Sequence, residues 1–532
     1  MVGNTGGNIA VRVLERLNIS VLFGIPGIHN LAVYDGLAHS SIRHIATRHE
    51  QGAGFMAYGW GKSTGDPGTA LVITGPGLTN ILTPMGQAFH DSVPMVVIST
   101  QIPSRFLSAR SGYLHELRDS TTMSSSVTKG SFRASSPSEI APLLERAYRL
   151  AAAGRPGPVH VEIPLDYLAE PCAPSGAFPS SEQPCFVPGE EFTEALRALG
   201  RAKFPVILAG GGASRSAVAL RGLAEALNAP VLLTCAGKGV LSEEHPLCLG
   251  ARLHFPAVRE LLARADCLLA LGTEISPTDL WTEEFEFSGT VVSVDVDEGP
   301  RASRNGVFLH GRCEEAAPLL LAGVAKKSAS QWAGKDELLA RCSQELGATL
   351  GVTDELPLLE NTVKALRTSL GDDGTLWADM TGPAYYAISE YAAALPGRFL
   401  HPVGFGTLGA ALPAALATKC AFPERRVAAL AGDGGFQFTL PELAVGVQEK
   451  LSLPVILWND GGFGEIRRCQ QAKGGPLIAV DHWNPDFRAL AASYGMPYFA
   501  PEDGTLGDAL EEAFVAHVPS LIEIRARKEC RR

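Results

Sequence analysis

Short apolar runs of strand length alternate with helical patterns from one end of this chain to the other, and that alternation leaves few folds open. In the first stretch Ser20–Phe23, Thr69–Ile73, Met95–Ser99 and Pro158–Ile163 read as strands, and Asn8–Leu17 as a helix. The runs are largely apolar rather than alternating, as in strands covered on both faces, so the expectation is a parallel sheet between helical layers. The second stretch repeats the alternation with FPVILAGGG (Phe204–Gly212), an amphipathic helix over Ala217–Leu227, then VLLT, DCLLALG (Asp266–Gly272) and TVVSVDVDE (Thr290–Glu298). A third runs from Glu355 to Arg525. Polar segments at Pro171–Glu191 and Lys326–Asp336 separate the three. The expected architecture is α/β, with three doubly wound parallel-sheet domains over residues 1–170, 190–325 and 350–532 and no internal sequence repeat.

Composition narrows the function classes. The 532 residues carry a net charge of −11 without a basic run, which argues against nucleic-acid or membrane-surface partners. No apolar run reaches the roughly 18 residues of a spanning helix, and the N-terminus lacks the apolar core of a secretory signal. The ten cysteines are scattered without a CxxC pair, which is neither a disulfide framework nor a zinc ribbon and suits the cytoplasm.

The most informative segment is Arg426–Cys469, RVAALAGDGGFQFTLPELAVGVQEKLSLPVILWNDGGFGEIRRC. Val427–Ala431 reads as a buried strand ending in the turn Gly432-Asp433-Gly434-Gly435. Thr439 can cap a helix, with Pro441 and Glu442 in its first turn. Val455–Trp458 reads as the next strand, ending at Asn459-Asp460. In a parallel sheet such strands can be neighbours. Both acidic residues then lie outside the carboxyl ends, where open α/β sheets bind ligands. Carboxylates beside glycine-rich turns with free N–H groups make a site for Mg²⁺ and a diphosphate.

This segment resembles the cofactor-anchoring motif of thiamine diphosphate (ThDP) enzymes, a GDG followed after a helix and a strand by NN, with Asp460 here in place of the second Asn. RHEQGAGFMAYGWGK (Arg48–Lys62) resembles the same family's pyrimidine-side motif, and GFGTLGAALPAALA (Gly404–Ala417) its cofactor-bending loop. VITGPGLTN (Val72–Asn80) and DSVPMVVIST (Asp91–Thr100) extend the likeness, which covers essentially the whole chain in the order pyrimidine-binding, central Rossmann-like and diphosphate-binding. The resemblance implies that Asp433, Asp460 and the Gly462 carbonyl ligate Mg²⁺. It places Thr381, Gly382, Gly432, Gly434, Gly435, Phe463 and Gly464 around the cofactor. Glu50 would bond the pyrimidine N1′ as the catalytic carboxyl, Gly406 would offer its carbonyl to the 4′-amino group, and Leu408 would wedge the cofactor into its bent form. It also implies a homodimer or homotetramer, with Glu50 from one chain facing Asp433 of another.

The chemistry implied is attack on the carbonyl of a small 2-oxo acid followed by loss of CO₂. The benzoylformate decarboxylase pocket serine and histidine align with Ile28 and Ile73, and the adjacent histidines of pyruvate decarboxylases are missing. The FAD-associated RFDDR of acetolactate synthases does not appear at GTEISPTDLW (Gly272–Trp281), so FAD is not expected. Gly210–Gly212 is compatible with a nucleotide but reads first as a plain strand-to-helix turn. RSGYLHELRDS (Arg110–Ser120) and WNDGGFGEIRR (Trp458–Arg468), with FGIPGIHN (Phe23–Asn30), look like 5-guanidino-2-oxopentanoate (2-ketoarginine) decarboxylases. That likeness implies decarboxylation to 4-guanidinobutanal; carboligation of acetolactate-synthase type is the alternative. Glu465 follows the NDGGFG turn, where it either receives a guanidinium or pairs internally with Arg467, Arg468 or Lys473. His115 is read either as a proton donor to the decarboxylated carbon or as a surface loop histidine, and His29 as a weaker pocket candidate.

Overall fold

The computed structural model describes residues 4–172, 186–299, 306–327, 334–352, 354–502 and 504–526. Much of the two polar segments expected as linkers, 173–185 and 328–333, lies outside the described residues.

The chain folds into three six-stranded, all-parallel sheets flanked by helices. The first contains β1 (Val21–Gly24), β2 (Arg43–Ala46), β3 (Gly68–Val72), β4 (Met95–Gln101), β5 (Gly130–Arg133) and β6 (Pro158–Pro164) in the order β2-β1-β3-β4-β6-β5. The central sheet contains β7 (Pro205–Ala209), β8 (Val231–Leu233), β9 (Cys248–Gly250), β10 (Cys267–Leu271), β11 (Thr290–Asp295) and β12 (Gly306–His310), ordered β12-β11-β10-β7-β8-β9. The third contains β13 (Thr375–Ala378), β14 (Phe399–Leu400), β15 (Val427–Gly432), β16 (Pro454–Asn459), β17 (Tyr498–Phe499) and β18 (Ser520–Arg525), ordered β14-β13-β15-β16-β18-β17. The first and third orders are therefore the same arrangement, a structural repeat without a sequence repeat. The central order is the doubly wound Rossmann arrangement, with its switch point between β7 and β10.

Continuous apolar strands explain the layers. Every residue of β3, β4, β6, β7, β10 and β16 is buried, as two-sided covering demands. The helix over Ala217–Leu227 ends where the sequence places it, because Asn228 takes the left-handed cap conformation (φ +47°). The helix after β15 runs from Asp433 to Thr439, and Thr439 then stands at the N-cap position of a short turn, Leu440–Glu442, that holds Pro441 and Glu442 as expected. One part of the expectation is corrected: the Thr439 side chain makes no capping hydrogen bond, its hydroxyl donating to the Gly409 carbonyl at 2.7 Å instead.

The first and third sheets share one apolar core. The helix Glu50–Thr64 lies against the helix Ala411–Ala421 so closely that a Cβ on Gly59 would stand 2.4 Å from the Ala414 Cα. Ser63 and Thr418 hydroxyls meet at 2.6 Å, and the Tyr58 ring meets Trp377 edge-on at 5.6 Å. Buried Asp91 gathers the Tyr58 hydroxyl, the Lys62 ammonium (2.9 Å) and the Gly404 amide (2.8 Å), joining both blocks. Gly59→Val is expected to overpack this contact and lower stability by about 1–3 kcal/mol, read as a lower urea midpoint.

Candidate active site

The site starts from strand register. Gly432 of β15 pairs with Trp458 of β16, so the chain leaves both strands at one level and brings Asp433 beside Asn459-Asp460. Asp433 is 1% exposed. Its Oδ2 accepts a hydrogen bond from the Asn484 amide and lies 3.7 Å from His482 Nε2. The same Asn484 amide donates to Asn459 Oδ1 at 3.2 Å, tying the two turns together. Burial raises the Asp433 carboxyl, against the Asn484 hydrogen bond. Burial pushes Asp460 up to about 7, the Asp433 charge adding to the shift and Arg467 opposing it. A carboxyl group held up by a neighbouring carboxylate's charge is a place for a cation.

Arg467, 8% exposed, pins the turn. Its Nε and Nη2 donate to Asp481 Oδ1 at 3.0 and 2.7 Å, and Nη2 also reaches the carbonyls of Gly461 and Val480 at 3.3 Å. Gly462 has φ +153°, and a Cβ there would stand 1.9 Å from the Val480 oxygen. A Cβ at Gly464 would lie 2.0 Å from Asp460 Oδ2, so glycine at 464 keeps the carboxylate in place. A Cβ on Gly434 would fall 2.7 Å from the Phe463 ring, and one on Gly432 3.0 Å from Thr381 Oγ1. Thr381 precedes the helix Gly382–Glu390. The turns at Thr381-Gly382, Gly432–Gly435 and Gly461–Gly464 thus form one cradle. Gly406 (φ +66°) and Leu408 border it, the Leu408 Cδ2 lying 3.5 Å from the Cβ position of Gly435. Buried Asp379 fixes that loop by accepting from Gly409 N at 2.7 Å, and burial raises its carboxyl to about 6.

Among the described residues no three His, Cys, Asp or Glu side chains converge as a metal cage. Two carboxylates plus backbone carbonyls and phosphate oxygens are nevertheless the set Mg²⁺ takes, since it seldom uses an all-protein cage. The donors therefore fit a Mg²⁺-bound diphosphate.

The other half of the sequence-predicted site lies at the carboxyl ends of β1–β3. Glu50 opens the helix Glu50–Thr64, and Asn80 Nδ2 donates to its Oε2 at 3.0 Å. Glu442, 1% exposed, reaches across from the third block and accepts from the amides of Arg48 (3.1 Å) and His49 (3.0 Å). A Cβ on Gly77 would lie 3.7 Å from Glu50 Oε1 and 2.9 Å from Ile73, while one on Gly75 would meet the His115 Cβ at 2.7 Å. The His115 and buried His29 rings pack at 4.9 Å. Burial, and then the His115 charge, lower the His29 pKa. The His115 Nδ1 has no hydrogen-bond partner among the described residues. Its loop is braced by Glu116, which accepts from Gly112 N at 2.8 Å and Tyr113 N at 3.2 Å. Glu50, His115 and His29 are thus brought to one mouth. Glu465 stands apart: its side chain is 44% exposed and paired with Arg468, the internal partner that the sequence left open. Asn80, Glu442 and Asn484 were not singled out from sequence. Only Asn80 had a local signal, closing VITGPGLTN on the helix that follows β3.

Residues 4–123 match the thiamine pyrophosphate enzyme N-terminal TPP binding domain, 192–317 its central domain and 381–524 its C-terminal TPP binding domain. The chain belongs to the thiamine pyrophosphate enzymes. It is 39% identical, over 98% of its length and 94% of the relative, to the probable 2-ketoarginine decarboxylase AruI of Pseudomonas aeruginosa. It is 28% identical to the acetolactate synthase isozyme 1 large subunit of Escherichia coli (99% of this chain, 94% of the relative). With the acetolactate synthase large subunit of Corynebacterium glutamicum the identity is 32%, over 92% of this chain and 81% of the relative. Thiamine pyrophosphate is another name for ThDP, so the diphosphate cradle and the family agree.

The central block adds a cavity of about 870 Å³ at the switch point between β7 and β10. Its glycine turn is explained by packing, since a Cβ on Gly210 would stand 2.2 Å from the Gly272 oxygen. Among the described residues no helix is long and apolar enough to cross a membrane.

Two outcomes follow from this geometry. Asp433→Ala should weaken ThDP–Mg²⁺ binding by calorimetry at least about a hundredfold, beyond the 10–100-fold typical of losing a supporting partner. Burial pushes the Glu442 carboxyl up from 4.5 to about 7, the Arg48 and His49 amides opposing. In that window the folded chain keeps a proton that the unfolded chain has released, so this group's effect on stability worsens as pH rises. From about pH 4.5 to 7 the unfolding free energy of Glu442→Gln, read by urea titration, should therefore gain on that of the parent chain by up to about 3 kcal/mol.

Proposed function

We propose that this chain catalyses non-oxidative decarboxylation of a 2-oxo acid with a cationic side chain, 5-guanidino-2-oxopentanoate, giving 4-guanidinobutanal and CO₂. The observation that carries the reading is the 39% identity, over nearly the full length of both chains, to a probable 2-ketoarginine decarboxylase.

Bound ThDP supplies a nucleophilic carbon and an electron sink for the carbon that loses CO₂. Asp433, Asp460 and the Gly462 carbonyl would hold Mg²⁺ against the diphosphate, inside the cradle of Thr381, Gly382, Gly432, Gly434, Gly435, Phe463 and Gly464. Gly406 and Leu408 would shape the cofactor's bend. Glu50, held by Asn80, would hold a proton at the pyrimidine N1′. His115, with a ring nitrogen still available and His29 behind it, would deliver a proton to the carbon left by CO₂. FAD has no place in this reading, because the chain carries GTEISPTDLW where the flavin-associated sequence would stand.

The working unit in this reading is a homodimer or homotetramer, with each cofactor between Glu50 of one chain and Asp433 of another. Large apolar side chains stand exposed on both faces: Ile28 and Leu114 beside the Glu50 mouth, Ile466 and Trp483 beside the Asp433 cradle. Covering them is what association would achieve. We place the enzyme in the cytoplasm, in keeping with described cysteines that are free and, apart from Cys469, buried.

A second reading, carboligation of acetolactate-synthase type, has the support of relatives at 28% and 32% identity. A panel of 5-guanidino-2-oxopentanoate, pyruvate and benzoylformate, with products identified by mass spectrometry, separates the two. Guanidinobutanal and CO₂ are expected; acetolactate from pyruvate as the main product would overturn the assignment. Glu50→Gln should retain the cofactor while turnover falls on the order of 10²–10⁴-fold, and unchanged turnover would remove Glu50 from its role.

A further inference from the structure

We infer that a half-open cavity between the central and third blocks seats the substrate's cationic side chain, with the Asp279 carboxylate as partner of its guanidinium. This rests on the decarboxylase reading and adds to it the residue that selects the substrate.

The cavity has a volume of about 190 Å³. A cavity of about 150 Å³ holds a benzene molecule, so this one accepts a short alkyl stem ending in a planar guanidinium. It adjoins the cofactor cradle. Met380, in its wall, immediately precedes Thr381, and its Cε lies 3.7 Å from the Cβ position of Gly406.

The walls match an arginine-like tail. Leu253 and Ile388 offer apolar surface to methylenes. His254 and Trp281 stack with ring centres 4.0 Å apart, and Tyr385 stands edge-on to Trp281 at 6.4 Å. Aromatic faces of this kind attract guanidinium.

Charge decides the sign of the ligand. Burial, with Arg252 and Arg259 nearby, holds His254 down at about 3, and burial holds His401 at about 4, so both are neutral at working pH. Asp279 is then the one formal charge among the described lining residues. Burial raises its carboxyl to about 6, which leaves it mostly ionised near neutrality. Its Oδ1 accepts from Cys235 N at 3.2 Å, and it has no ion pair among the described residues. The nearby Lys62 is already held by Asp91 at 2.9 Å. His254, 4% exposed, leaves Nε2 without a hydrogen-bond partner. A half-buried carboxylate without a cation, lining the same cavity as an orphaned imidazole nitrogen, is costly until a ligand with several N–H donors arrives. Glu465, by contrast, is exposed and already engaged by Arg468. Asp279 also borders the larger cavity of the central block, so it stands where the two spaces meet.

The test compares Asp279→Asn with the parent holoenzyme on two substrates of equal shape, 5-guanidino-2-oxopentanoate and its neutral analogue 5-ureido-2-oxopentanoate. The variant should lose on the order of ten- to a hundredfold in kcat/KM on the guanidino acid, chiefly through KM, and change little on the ureido acid. Equal losses on both, or no loss on either, would overturn the assignment. Calorimetric binding of 4-guanidinobutanoate and 4-ureidobutanoate to the holoenzyme decides the point without turnover. The parent should prefer the guanidino ligand and the variant should not. Binding that ignores either the ligand's charge or the substitution sinks the Asp279 assignment alone. Parent enzyme that binds 4-guanidinobutanoate through Asp279 but releases no CO₂ from the guanidino acid sinks the decarboxylase reading and leaves the cation site standing.

Discussion

Two carboxylates at the ends of adjacent parallel strands, one buried and one half-buried, set the terms for the rest of this molecule. Asp433 and Asp460 are held at one level by the pairing of β15 with β16, and the Asp433 charge makes ionisation of Asp460 harder. Such a pair either keeps a proton or draws positive charge to it. The surroundings serve that end: Asn484 bridges the two turns, Arg467 pins the second, and glycines at 462 and 464 leave the space the carboxylate and a ligand need. A diphosphate with its divalent ion fits the arrangement because it brings both the cation and further oxygen ligands.

The three sheets divide the work. The first and third, built in the same strand order, each present functional groups at carboxyl strand ends: Glu50 and the two histidines on one, the diphosphate cradle on the other. Glu442 links them, since a carboxylate from the third block holds the amides just before Glu50. The first and third blocks of one chain are therefore mechanically connected. The central sheet supplies the wall facing the cofactor loop, and with it the negative charge at Asp279.

Sequence made the strand-end chemistry readable because that chemistry is local. A buried apolar run, a glycine turn and an acidic residue fall within a few positions, and β15 and β16 came out as neighbours for that reason. The helix Ala217–Leu227 was readable from its period. The partners that complete the site were not. Asn484 lies 51 residues from Asp433, and Glu442 lies 394 from the amides it holds. No periodicity or turn signal marks such residues, because tertiary packing alone brings them in. Thr439 stands where the sequence put it, before a new helical turn, but its hydroxyl goes to distant Gly409 rather than to the turn's amides. Glu465 left a guanidinium ligand and an internal partner both open, and the i,i+3 geometry of its helix sets Arg468 beside it.

The most direct test of the central claim is calorimetric titration of ThDP into metal-free protein and into protein saturated with Mg²⁺. If Asp433 and Asp460 grip the diphosphate through a divalent ion, tight binding appears with Mg²⁺ and is lost when the metal is chelated. Binding that is equally tight without metal, or absent in both titrations, would contradict the account.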